Sequence, residues 1–171
     1  MLEIYNDIIQ KRGKLADAHK IQSLRPESIT RHMDLYLEIM FSKSDLSRAD
    51  REMMALIVSA SNKCKYCISH HSEAVNHYWK NSDRTNFLVT EFNKAELNNR
   101  QVDLCRFAAQ LTLHPAGFEE DYETNMLKDA GLTDSAILDA TLVVAYFNFV
   151  NRIVLALDVE FSKEEISGYN Y

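Results

Sequence analysis

Met53-Met54-Ala55-Leu56-Ile57-Val58-Ser59 is the stretch on which the fold turns. An apolar run of this length reads equally as a buried strand or as part of a helix. A strand would make the Cys-x-x-Cys that follows, Cys64 and Cys67, part of a βαβ redox unit. The flanks favour helix. Met53, Leu56, Ile57 and Ala60 recur at 3-4 spacing, and good helix formers precede them. Ser47 is a good N-cap, with Asp50 three residues on as a weak capping-box partner. A helix is therefore predicted over 48–61, broken at Asn62-Lys63, with the next one starting at Cys64 and running to about 80.

Outward from that hairpin the whole chain reads as helix. Ile4, Ile8 and Ile9 mark a short amphipathic helix over 3–11, interrupted by Gly13. A weaker piece covers 15–24. Pro26 suits a first helical position and opens a helix to 41, carrying Ile29, Met33, Tyr36, Leu37 and Met40 on one side. Further helices are expected over 83–92, 99–113 and 119–130. The last of these is set off by Pro115 and Gly117, and Gly131 stops it. Thr133 then caps a long helix to about 157. The polar tail, 162–171, is expected to be partly ordered at best. No segment alternates as a strand should, so the fold class is all-α. Pro26 and Pro115 are also poorly placed for the proline loop of a thioredoxin.

The chain is expected to be a single domain, 1–171, with a core of about 26–158. A weak internal repeat runs at an offset of 86: Met40, Leu46, Ser47, Leu56, Ile57, Val58 and Asn62 match Met126, Leu132, Thr133, Leu142, Val143, Val144 and Asn148. Val150 and Ile153 replace Cys64 and Cys67 in the second copy. Two duplicated helical units, with the last long helix central, would give this pattern. So would two unrelated amphipathic helices.

At 171 residues the chain suits one domain burying roughly 70% of its unfolded surface. Four glycines and two prolines leave few turns. A net charge of −6 argues against general binding to nucleic acid or anionic membranes. Three cysteines do not make a secreted disulfide framework. No cationic segment followed by an apolar one marks the N-terminus as a signal peptide. The apolar region 140–157 is interrupted by Asn148, Asn151 and Arg152, which favours a buried helix over a membrane span. A cytoplasmic location is expected, where Cys-x-x-Cys pairs are more often redox-active or metal-binding than structural.

Cys64, Cys67 and His71 are related as i, i+3 and i+7 and share one helix face. Both cysteines fall at the first turn, where unpaired N–H groups stabilise a thiolate. The spacing lets the sulfurs form a disulfide without unfolding the helix, so one can attack and the other resolve. Half a zinc site, with His71 and His77 or Glu52 as further ligands, is the competing reading. Glu52 lies ~15 Å before the hairpin turn and His71 ~12 Å after it, so the two share a depth. A carboxylate would then orient an imidazole that deprotonates a thiol. Cys67 is one turn from His71 and Cys64 two, so Cys67 is the expected attacker. Cys64, at an exposed helix start, is the sulfur an external reductant would reach.

The pattern Glu52-x11-Cys64-x2-Cys67-x3-His71 resembles the AhpD-like alkylhydroperoxidases of the carboxymuconolactone decarboxylase superfamily, especially the branch called peroxidase-related enzymes. The surroundings Ser47-Arg48-Ala49-Asp50-Arg51-Glu52 and Phe147-Asn148-Phe149-Val150-Asn151-Arg152 agree, and the likeness covers nearly the whole chain. It implies an all-α homo-oligomer, commonly a trimer or hexamer, that reduces organic hydroperoxides through a Cys-x-x-Cys disulfide with no metal, haem or other cofactor. It assigns Cys67 as the peroxidatic thiol, Cys64 as the resolving one, and Glu52 and His71 as a proton relay. A dithiol reductant, a lipoyl protein or a thioredoxin-like one, is implied as partner. AhpD has a histidine between its cysteines where this chain has Tyr66.

The remaining candidates read as structure. Cys105 is a core residue of an apolar helix. His70 and His77 are exposed or hydrogen-bonded helix residues, and His114 belongs to a loop. Arg152 needs an acid partner, buried or on another subunit. Tyr66 and Trp79 pack in the core or line a pocket. The charges over 119–123 form a solvated face. Two other functions use the same residues: a non-enzymatic thiol redox sensor and a zinc-binding structural module.

Overall fold

A computed structural model describes residues 1–117, 122–160 and 163–170. In chain order the helices are α1 (Leu2–Arg12), α2 (Asp17–Lys20), α3 (Pro26–Phe41), α4 (Arg48–Ser61), α5 (Lys65–Trp79), α6 (Ser82–Glu91), α7 (Asn99–Leu113), α8 (Tyr122–Asp129), α9 (Asp134–Ala156) and α10 (Lys163–Ile166). Among the described residues there is no strand, as the helical period of 53–60 requires. Part of the expected helix over 119–130 lies outside the described residues.

The centre of the fold is α4. Every residue from Asp50 to Ser59 is buried, because α3, α5, α6, α7 and α9 all pack around it. The helix expected over 48–61 is thus interior from Asp50 to Ser59, with Arg48, Ala49, Ala60 and Ser61 half-buried at its ends, and α9 is not the sole centre. The buried side of α9, including Ala140, Val143, Val144 and Phe147, faces the core. Leu138, Leu142, Phe149 and Leu155 stay exposed. By length and composition α9 could cross a membrane, but these contacts make it a core helix with one open face.

Local chemistry sets the element ends. Ser47 Oγ accepts from the Asp50 N–H at 3.0 Å, and Thr133 Oγ1 from the Ala136 N–H at 3.1 Å. These two N-caps are equivalent positions of the internal repeat. Asn62 Nδ2 donates to Oδ1 of its repeat partner Asn148 at 3.1 Å, where α4 and α9 meet. Between α4 and α5 the chain turns through Lys63 at φ 56. Its N–H donates to Ala60 O, and the Cys64 N–H donates to Ser59 O. This is the paired closure of a Schellman C-cap. It fixes Cys64 as both the last anchor of α4 and the first residue before α5.

The described part of the tail, 163–170, makes specific contacts: α10 docks on α5, and Asn170 exchanges hydrogen bonds with Arg12. Gly13 makes that docking possible. It ends α1 at φ +79, and a Cβ there would meet Asn170 Oδ1 at 3.0 Å and Gly168 O at 3.1 Å. Glu123, expected on a solvated face, is buried instead.

Candidate active site

Cys64 is the N-cap of α5 rather than a member of its first turn, and its Sγ accepts the Cys67 N–H at 3.4 Å. The Cys67 thiol also donates to Cys64. That bond lowers the Cys64 pKa against the opposing effect of burial. The same bond, together with burial, pushes Cys67 up. Of the two sulfurs, Cys64 is therefore the more acidic and Cys67 the one that holds its proton. Both sulfurs are interior: Cys64 is 0% and Cys67 3% exposed, packed with Ala18, Tyr66 and Val154. The expected exposed helix start is absent because the Schellman turn and the chain at Ala18 cover it.

Glu52 and His71 meet, as their equal helical depths predict. The Glu52 carboxylate is 2% exposed. Burial alone would raise its pKa, but Arg48 and then His71 outweigh this and hold it low. An ionised carboxylate only accepts, so His71 Nδ1–H must be the donor in the 2.8 Å contact to Oε2. This leaves His71 Nε2 as the basic nitrogen. Arg48, one turn before Glu52, closes the other side with Nη2 2.7 Å from Oε1, and its guanidinium lies 3.8 Å over the Phe41 ring. The Phe147 ring meets His71 edge-on, 4.4 Å between centroids. Among the described residues no hydrogen bond joins His71 to either sulfur, and no three His, Cys, Asp or Glu side chains are grouped to hold a metal ion.

A cavity of about 100 Å³ opens beside this pair, lined by Glu52, His71, Ala74, Phe147 and Val150 on the α4, α5 and α9 side. Neither cysteine reaches its surface. The opposite wall comes from residues that no spacing in the sequence groups: Arg12, His19, His32, Tyr36, Tyr146 and Tyr169. His32 Nε2 hydrogen-bonds the Tyr146 hydroxyl at 2.7 Å.

The tail adds one more acid. Glu165 accepts from the Tyr66 hydroxyl at 2.8 Å, the Tyr169 hydroxyl at 3.0 Å, the Asp17 N–H at 3.1 Å, and His70. Burial opposes its charge, but these bonds, His70 first, bring its pKa to about 2. Tyr66 and His70 thus face the tail as well as the cavity.

Other sequence candidates fall where their chemistry allows. Cys105 is fully buried, and burial raises its pKa. His77 and His114 are exposed. Trp79 packs at the core edge under Arg84, 3.9 Å from its ring. Arg152 is exposed and needs no acid, because Nη1 donates to Asn148 O and Oδ1 one turn back.

Fold and site together define an all-helical protein with a buried Cys-x-x-Cys pair beside a Glu–His pair on adjacent helices. Residues 26–77 match the carboxymuconolactone decarboxylase family. A peroxidase-related protein from Silicibacter sp. TM1040 superposes with a TM-score of 0.88 at 29% identity, over 96% of this chain and 86% of that one. An AhpD-core peroxidase-related protein from Ralstonia eutropha JMP134 gives 0.85 at 22%, over 95% and 85%. The debrominase Bmp8, in complex with 2,3,4-tribromopyrrole, shares the fold at a TM-score of 0.80 and 19% identity, over 96% and 90%. No functionally curated protein matches the chain. Over residues 26–77 the chain is thus similar to the carboxymuconolactone decarboxylase family, and its fold is that of AhpD-like, peroxidase-related proteins.

Proposed function

We propose that the protein is a thiol peroxidase that reduces organic hydroperoxides through a Cys64–Cys67 dithiol–disulfide cycle. The observation that carries this reading is that the capped Cys64–Cys67 pair lies on the same helix as a Glu52-oriented imidazole, with His71 lining the cavity one turn from Cys67. The fold alone does not select the reaction, since a debrominase shares it.

His71 Nε2 takes the proton that Cys67 holds, and Glu52 stabilises the imidazolium. The freed Cys67 thiolate attacks the terminal peroxide oxygen. The O–O bond breaks, Cys67 becomes a sulfenic acid, and the alkoxide leaves as alcohol with the proton His71 holds. Cys64 thiolate then displaces hydroxide from Cys67, forming the disulfide, and the hydroxide takes a proton from solvent, the one the resting Cys64 thiol gave up, to leave as water. The sum is dithiol plus ROOH to disulfide, ROH and H₂O. An external dithiol, on a lipoyl or thioredoxin-like protein, restores the pair by exchange. Because neither sulfur touches the cavity, each turnover includes a small opening of the Cys67 side of α5. The exposed stripe Leu138, Leu142 and Phe149 on α9 supports self-association of the protein through that face.

One observation favours the reverse order of attack, the N-cap position of Cys64, where its Sγ accepts the Cys67 N–H. Mass spectrometry after one equivalent of cumene hydroperoxide, with a sulfenic-acid trap, separates the two. Cys64→Ser is expected to react once and carry the adduct on Cys67, and Cys67→Ser to react slowly. A fast adduct on Cys64 in Cys67→Ser reverses the order. Wild-type protein that forms the disulfide but does not turn over with dihydrolipoamide or thioredoxin is a sensor, not a peroxidase.

A further inference from the structure

The cavity wall opposite Glu52 and His71 is not used by the chemistry above. Arg12 ends α1 there, 7% exposed. Its Nη1 donates to the Asn170 carbonyl, and its guanidinium lies 4.9 Å over Tyr36 and 4.8 Å over Phe41. Among the described residues no Asp or Glu pairs with it. A guanidinium has five N–H donors, and although Glu52 feels its charge, no carboxylate reaches those donors directly. The acid lining the cavity, Glu52, is already bound by Arg48 and His71. Lys14 also lines the cavity, but its ammonium is committed to the Ser167 and Glu164 carbonyls.

His19 stands on the same wall. Both of its ring nitrogens are buried, and among the described residues neither has a hydrogen-bond partner. Buried polar atoms in folded proteins are satisfied, and an orphan of this kind marks a place for a missing partner. Its imidazole is held neutral, with a pKa of about 3, by burial first and then by His32 and the nearby Arg12 charge. A neutral ring still supplies one N–H donor. Tying the tail to α1 accounts for Arg12 Nη1, but it does not account for His19.

We propose that Arg12 and His19 form an anion subsite that receives the carboxylate of a small organic hydroperoxide, placing its peroxide end toward His71 and the sulfur pair. The word hydroperoxide rests on the function proposed above, whereas the anion subsite does not. Size narrows the class further. A sealed cavity of about 150 Å³ takes benzene's six heavy atoms, so about 100 Å³ suits the carboxylate end of a short ligand rather than a long chain. Short-chain carboxylate hydroperoxides fit this description, and long-chain lipid hydroperoxides do not.

Two measurements test it on the full-length reduced protein. The first is calorimetric binding of propionate against its neutral analogue propionamide. Propionate is expected to bind, propionamide is not, and both His19→Phe and Arg12→Met are expected to lose propionate. The second is turnover of 3-hydroperoxypropionate against ethyl hydroperoxide. The anionic substrate is expected to be preferred in kcat/KM on the order of 10- to 100-fold, the worth of one charge-assisted contact. Arg12→Lys should retain part of that preference, and His19→Phe should remove it, so that the ratio of the two kcat/KM values falls to about one. If Arg12→Met does not fold, His19→Phe carries the test alone, because among the described residues the His19 ring makes no hydrogen bond that the fold would lose. Equal binding of propionate and propionamide with no substrate preference overturns the subsite. Propionate binding lost in His19→Phe, together with no turnover of either peroxide, leaves the subsite standing and overturns the peroxidase reading instead.

Discussion

Replacing Glu52 with Gln changes one oxygen for an amide and removes one buried charge. The carboxylate has two occupied sides, Arg48 Nη2 on Oε1 at 2.7 Å and His71 Nδ1 on Oε2 at 2.8 Å. An amide can accept from only one of them, so the other donor meets an N–H group. Removing one partner of a buried ion pair costs about 3–5 kcal/mol. Arg48 keeps its 2.8 Å bond to Met40 O and its seat over Phe41, which brings the expected loss to about 2–3 kcal/mol. For a chain of this length that is a fall in Tm of about 4–12 °C, read by calorimetry at fixed protomer concentration. The first chemical step should slow by about 10²–10⁴, the worth of a positioned general base, read by stopped-flow oxidation of the pair. His71→Ala should slow it comparably, and the double variant little further, since the two act as a unit. An unchanged rate in Glu52→Gln with the expected loss of Tm would make the Glu52–His71 pair a structural brace and remove it from catalysis.

Other outcomes follow from neighbouring contacts. Tyr66→Phe removes a donor to Glu165 and the acceptor for the Ala18 N–H. It should cost about 1–3 kcal/mol and speed proteolysis of the tail, and an unchanged digestion pattern would show that the tail docks without it. Gly13→Ala places a Cβ at positive φ against Asn170, so limited proteolysis should again release the tail, with a loss of about 1–2 kcal/mol in urea unfolding. Acid should destabilise the fold early. His19 and His32 are neutral in the folded state down to about 3 and 4, against 6.5 unfolded. The unfolded chain therefore binds more protons below 6.5, and stability drops by at most about 1.4 kcal/mol per group per pH unit. Glu165 adds a second loss between 4.5 and about 2, and urea midpoints that stay flat from pH 7 to 5 would refute the neutral histidines. Leu142→Asp on the open face of α9 should leave the circular dichroism intact and reduce the sedimenting mass to a 19.7 kDa protomer, whereas a wild type already at that mass would remove the self-association.

What is legible in the sequence is what is set locally. The ends of α3, α4, α7 and α9 follow from Pro26, Ser47, Leu113 before His114-Pro115, and Thr133, because caps and breakers act within a turn of themselves. The Glu52–His71 pairing is legible too, since a tight hairpin converts equal distance from the turn into contact. The opposite wall is not. Glu165 meets Tyr66 across 99 residues of chain, in a polar tail whose composition signals no periodicity. Arg12 and His19 look like ordinary surface residues until the tail covers them. The burial of Cys64 escapes the sequence for a related reason: a helix start is exposed by default, and only the Schellman turn and the docked Ala18 close it.

The N-cap at Cys64 ties the folding of α5 to its oxidation state. A thiolate is a good acceptor for the Cys67 N–H, and a disulfide sulfur is a poor one, so the cap exists in full only when the pair is reduced. Helix caps contribute about 0.5–2 kcal/mol, which at two electrons shifts a reduction potential by about 10–40 mV. The shift is upward, toward an easily reduced disulfide. Under the proposed dithiol–disulfide cycle, every residue that stabilises the start of α5 would also tune how readily a donor recharges the pair, and a change far from the sulfurs that frays this turn would lower the potential without touching either cysteine.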